Sequence, residues 1–138
     1  MKQVYAIVIT PTEDGSFCVN IPDFNTATQG ANLAEAIFMA RDAIGSLGIT
    51  YEDQKIALPT PRSISEIKTI DEENGIFGNK DSFVTLVDVD FTEYRRNHDK
   101  RTVKKNCTLP AWLCAEAERQ GVNFSRVLAD ALHDTLGV

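Results

Sequence analysis

RTVKKNCTLPAWLCAEAERQGVNFSRVLADALHDTLGV, residues 101–138, decides how this chain is built. From Thr102 to Leu109 the side chains alternate: Val103, Lys105, Cys107 and Leu109 point to one side, Thr102, Lys104, Asn106 and Thr108 to the other. Leu109-Pro110 marks a helix start, because the first turn has no use for the N–H that proline lacks. Leu113 and Ala117 continue the apolar side along a first helix from Ala111 to Gln120, and Gly121 ends it. Asn123 or Ser125 caps a second helix running to about Leu136, with Phe124, Val127, Leu128, Ala131 and Leu132 inward and Gly137 marking its end.

One strand and two helices of this length cannot bury a core alone, since units below ~40 residues need a staple or a partner. A second copy supplies the partner. The two strands pair into a ribbon, four helices interlock beneath it, and Val103, Cys107, Leu109, Leu113, Val127, Leu128 and Ala131 form the dimer core. The other strand face, Thr102, Lys104, Asn106 and Thr108, carries only hydrogen-bonding side chains. It suits base edges in the major groove, where Lys donates to guanine and Asn pairs bidentately with adenine. Candidate phosphate contacts are Arg101, Lys105 and Arg126, together with the amides that open the second helix at Phe124 and Ser125.

Charge points to the same end of the chain. Residues 1–99 carry eight Lys and Arg against sixteen Asp and Glu, whereas residues 95–105, RRNHDKRTVKK, hold six basic residues and one acidic. A basic stripe joining an acidic body to a short tail suggests a polyanion contacted there, although a solvated linker explains it equally well. The opening VYAIVI is too short to span a bilayer and its flanks do not resemble a secretory signal, which places the protein in the cytoplasm with no membrane partner. Three cysteines without a C-x-x-C pair read as buried free thiols in a reducing compartment.

Upstream, VYAIVIT (4–10) and SFCVNI (16–21) are strands joined by a turn whose Asp14-Gly15 closes a hairpin. Thr26–Gly30 is a short third strand or edge. Asn32, with Glu35 three residues on, caps a helix whose apolar face runs through Leu33, Ala36, Ile37, Ala40, Ala43, Ile44 and Leu47 until Gly48 stops it. Phe38 and Met39 fall off that face and serve either as a partner-facing patch or as cover under a loop. Residues 63–82, around DEENG, read as a polar surface excursion, and FVTLVDVDF (83–91) as the last strand. The expectation is an α+β protein: an antiparallel sheet of three to four strands on one main helix over residues 1–92, a linker at 93–100, and the ribbon module at 101–138.

The residue types argue against an enzyme. Two-metal nucleolytic cleavage needs several converging carboxylates, and the opening strand has none; Asp88 and Asp90 share one face of the last strand but read as edge residues. Asp23 reads as a turn residue, His98 and His133 as solvated surface residues, and Ser125 as a cap. No catalytic residue, metal site or cofactor is expected.

Over its whole length the tail resembles a ribbon-helix-helix DNA-binding domain, carried by the strand–Leu-Pro–helix–Gly–Asn-x-Ser–helix order. The N-terminal part is similar to HicB antitoxins, carried by YAIVI, Asp14-Gly15, Ile21-Pro22-Asp23, Thr28-Gln29-Gly30 and Leu33-x-Glu35-Ala36. Asn25-Thr26-Ala27 departs from a Pro-Gly-Cys-like turn frequent in that family. The resemblance implies a degenerate ribonuclease-H-like domain that binds and blocks a small mRNA-cleaving HicA-type toxin, and a tail that represses its own operon by binding operator DNA. It implies a homodimer through the tail, and a tetramer if both units self-associate. A stand-alone regulator with a ligand-sensing N-terminal domain is the competing expectation.

Overall fold

The computed structural model describes residues 1–74 and 81–138, the side chains of 71–74 excepted. The elements are β1 (Lys2–Pro11), β2 (Phe17–Ile21), a 3-10 turn (Pro22–Phe24), β3 (Thr26–Gly30), α1 (Leu33–Asp53), α2 (Ile64–Asn74), β4 (Phe83–Asp90), α3 (Phe91–His98), α4 (Ala111–Arg119) and α5 (Phe124–Leu136). They form two compact units, Met1–Arg101 and Thr102–Val138. Among the described residues no helix is long and apolar enough to cross a membrane.

In the first unit four antiparallel strands run in the order β3-β2-β1-β4. The β1–β2 turn is tied by Asp14, which accepts from Ser16 N (3.0 Å), Ser16 Oγ (2.6 Å) and Thr12 Oγ1. Those bonds lower the Asp14 carboxyl to about 2. After the 3-10 turn, Asn25 takes the left-handed conformation (φ 49°), one that Asn tolerates with little strain. The departure at Asn25-Thr26-Ala27 therefore still turns the chain into β3.

β1 is buried on both faces. Tyr5, Ile7 and Ile9 join Val19, Ile21, Ala36, Ala40, Ile44, Val87 and Val89 under α1, while Ala6 and Val8 pack with Ile67 of α2 on the other side. Each large aliphatic side chain so enclosed contributes roughly 1.5–3 kcal/mol. The expected surface excursion at 63–82 is thus corrected: helix α2 runs to Asn74, its start held by Ser63, whose Oγ accepts from Glu66 N (3.1 Å) and donates to Glu66 Oε1 (3.2 Å). Residues 75–80 of that excursion lie outside the described residues.

Four further expectations are corrected here. Gly48 does not stop α1, which continues to Asp53. Gly45 and Gly48 are instead contact points: a Cβ built at Gly45 would lie 2.4 Å from Tyr94 Cδ2, and one at Gly48 2.0 Å from Phe91 Cε1. Nor is 93–100 a linker beginning after residue 92. Phe91–His98 is a helix capped by Asp90, with Phe91 buried and Arg95 bonded to Ile49 O (3.2 Å) and Glu52 (3.0 Å), so this unit extends to Arg101. Finally, none of the three cysteines is buried, Cys18 and Cys107 being exposed and Cys114 partly so, and Leu33 lies half in solvent at the first turn of α1.

Asp23 is more than a turn residue. Its carboxylate, almost wholly buried, accepts from Arg62 Nε (2.7 Å) and Arg62 N (3.2 Å). With the Tyr5 hydroxyl donating to Pro59 O (3.0 Å), this fastens the proline-bearing segment before α2 to the sheet. Burial, with Asp23 nearby, raises the Tyr5 phenol.

Candidate functional site

In the second unit the local signals are complete and the packing is not. Pro110 occupies the N-cap of α4, and Gly121 turns the chain at φ 72°. Asn123 Oδ1 accepts from Arg126 N (3.1 Å) to cap α5, and Gly137 closes it at φ 69°. Asn123, not Ser125, is the cap. Yet no residue from Thr102 to Val138 is buried. Leu109, Leu113, Phe124, Val127, Leu128, Leu132 and Leu136 all stand in solvent, as does Trp112, at 71% exposure, which the sequence reading passed over.

Thr102–Pro110 belongs to no strand in the single chain. A strand exists only through ladder bonds to a neighbour, and this segment has none within its own chain. Thr102, Lys104, Asn106 and Thr108 lie along it, exposed, as do Val103, Lys105 and Cys107. Phe124 and Ser125 open α5, where the first amides have no intrahelical acceptor. Arg101 differs from the other phosphate candidates, because it belongs to the first unit and grips Asp99 through Nε (2.8 Å) and Nη2 (2.8 Å). That pair holds the Asp99 carboxyl well below the ordinary carboxylate range. A phosphate would have to displace Asp99 from Arg101.

The carboxylates once weighed for metal chemistry are occupied structurally. Asp88 pairs with Lys2 (3.3 Å) and Arg41 (3.2 Å), and these contacts lower its carboxyl. Asp90 accepts from Thr92 N (3.0 Å) and Glu93 N (3.2 Å) to cap α3 and lies 3.6 Å from the N-terminal ammonium. Among the described residues no group of three or more His, Cys, Asp or Glu could hold a metal ion. His133 Nδ1 contacts Val138 O at 2.8 Å, close to the end of the chain.

His98 is exposed, as expected, but it has partners within the fold. Its ring stacks on Tyr94 (3.9 Å between centroids), and its Nδ1 contacts Tyr94 O at 2.9 Å. The Tyr94 hydroxyl donates to Asp42 (2.9 Å), and burial together with Asp42 pushes the phenol up to about 12. These side chains form part of a cleft of about 230 Å³ between α1 and α3, with Phe38 on its α1 rim and Asp90, Glu93 and Asn97 opposite. Phe38, the apolar residue off the buried stripe of α1, is 61% exposed there.

Known structures are similar in overall fold. A chain of a toxin–antitoxin complex from Streptococcus pneumoniae is similar over 98% of this chain and 99% of its own, at 28% identity and a TM-score of 0.60. The antitoxin HicB of Burkholderia pseudomallei has the same fold over 98% of this chain and 97% of its own, at 19% identity and a TM-score of 0.54. No curated protein sequence gives a significant match. The model of the HicB-like antitoxins of bacterial toxin–antitoxin systems matches residues 5–131, nearly the whole of both units. The chain belongs to the HicB-like antitoxin family.

Proposed function

We propose that the first unit binds and blocks a small HicA-type mRNA-cleaving toxin, and that two copies of the second unit form a ribbon that binds operator DNA and represses the chain's own operon. The protein acts in this reading by binding, without a reaction of its own. The observation that carries it is the tail: two helices with proline, asparagine and glycine at their ends and no buried residue. Such a unit becomes stable only when another chain covers Leu109, Leu113, Val127, Leu128 and Ala131. A second copy does so symmetrically, and pairing of the two Thr102–Leu109 segments brings Lys104 and Asn106 of both chains onto one surface that fits the major groove.

Titration of operator DNA at fixed salt tests this reading. Replacing Asn106 by Ala costs on the order of 1–3 kcal/mol and relaxes preference at one base pair, whereas Lys104→Ala also lowers the salt slope. Unchanged affinity and selectivity in Asn106→Ala would refute base reading by this strand. On the toxin side, native isolation should yield a stoichiometric small basic protein that stops growth when expressed alone. Specific DNA binding without any such companion would instead favour a ligand-sensing regulator.

A further inference from the structure

The acidic residues of the first unit are not equally compensated. Asp23, Glu52, Asp53, Asp88 and Asp99 each sit within 3.5 Å of an Arg or Lys nitrogen. In the α1–α3 cleft, among the described residues, Asp42 has only the Tyr94 hydroxyl and a 4.0 Å approach of His98 Nε2, and Glu93 has no ion pair. Asp90, the third carboxylate there, is already engaged by the α3 amides and the N-terminal ammonium (3.6 Å), so the uncompensated pair is Asp42 and Glu93. Arg41, which also lines the cleft, is bonded to Asp88. Glu35 precedes Phe38 by three residues on α1, which extends the acidic edge along the same helix side.

Beside this charge stands Phe38, a large apolar ring left mostly in water at the lip of a concavity. An aromatic anchor flanked by uncompensated carboxylates fits a partner that is both basic and partly apolar. An RNA-cleaving protein must present cations where it holds its polyanionic substrate. We propose that the α1–α3 cleft is the toxin-docking surface, where a Lys or Arg from the toxin's RNA-binding face enters between Asp42 and Glu93 and its apolar surroundings pack on Phe38. Occupying that cation removes it from the RNA, so docking here also inhibits. The inference rests on the antitoxin reading above.

The test uses the full-length chain and a catalytically inactivated form of the RNA-cleaving toxin encoded beside it, with binding followed by biolayer interferometry at two salt concentrations. Phe38→Ala should weaken binding about 30-fold, chiefly through faster dissociation. Glu93→Lys should weaken it about tenfold, chiefly through slower association, with a reduced salt dependence. Glu13→Lys, an equal charge change on the exposed β1–β2 turn, should leave binding within about twofold. Phe38 and Glu93 are both exposed, so thermal midpoints should stay near wild type, and either variant decides the matter if the other fails to fold. Wild-type binding that neither variant weakens overturns the docking surface and leaves the antitoxin reading standing. An equal loss in Glu13→Lys means that overall charge is responsible and also overturns the surface. Absence of wild-type binding overturns both readings.

Discussion

The two units are built from sequence signals of equal quality and finish in opposite states. Met1–Arg101 encloses Tyr5, Ala6, Ile7, Val8 and Ile9 completely by covering both faces of its sheet. Thr102–Val138 has Pro110, Gly121, Asn123 and Gly137 in place at its helix ends and encloses nothing. Caps and turns decide where helices begin and stop. They do not decide whether one chain suffices to close the core.

The sharpest break of this contrast is to separate the units. Residues 1–101 should unfold cooperatively with a midpoint independent of concentration. Residues 102–138 should be helical only where they associate and should lose their helicity on dilution, because the single chain buries none of their residues. Circular dichroism against concentration, combined with sedimentation, checks both. A folded monomer of 102–138 would overturn the contrast outright. The position of the cut matters as well: a fragment ending at residue 92 lacks Tyr94 and Arg95 and should be less stable than one ending at 101.

That boundary shows where sequence reading reaches its limit. Strands β1 to β4 and helices α1, α4 and α5 were legible from their periods and end signals, whereas the strand expected at 102–109 does not form in the single chain. Helix α3 was not legible, because RRNHDK reads as solvated charge until Glu52, Asp53 and Asp99 are brought around Arg95 by the fold. Helix α2 did carry two readable signals. Ser63 and Glu66 have capping-box spacing, and the unbroken apolar run Val4–Ile9 is the pattern of a strand covered on both sides. The acidic composition around DEENG obscured them. At the candidate site Phe38 was identifiable as an apolar residue off the helix stripe, but its cleft depends on the α1–α3 contact, over 50 residues apart in sequence. Trp112 has no such excuse, being the one tryptophan in the chain and next to Leu113.

Gly48 offers a smaller perturbation, confined to the first unit. Read along the sequence it is a helix stop; in the fold it lets α1 approach the Phe91 ring. Gly48→Ala improves helix propensity by up to ~1 kcal/mol but forces a methyl into space already filled. Overpacking of this kind costs about 1–3 kcal/mol, so the net effect should be destabilising. Denaturant unfolding of residues 1–101 measures it, and any self-association of 102–138 should not change. A stabilised variant would show that Phe91 can move aside and that the close approach is not required.

The smallest effect expected is electrostatic and tests whether α3 truly belongs to the first unit. The Glu93 amide, helped by the N-terminal ammonium and the Thr92 amide, holds the Asp90 carboxyl below its usual value. A carboxyl whose folded pKa lies below the unfolded value of about 3.9 stabilises the fold fully above that pH. The contribution disappears as pH falls through the folded value. Asp90→Asn keeps an oxygen able to cap α3 but removes the charge. Residues 1–101 bearing it should lose little stability at pH 7 and should show a shallower decline below pH ~4 than wild type. An identical acid decline would mean that Asp90 titrates alike in both states. The α3 start would then be held by the packing of Phe91 against Gly48 rather than by its capping charge.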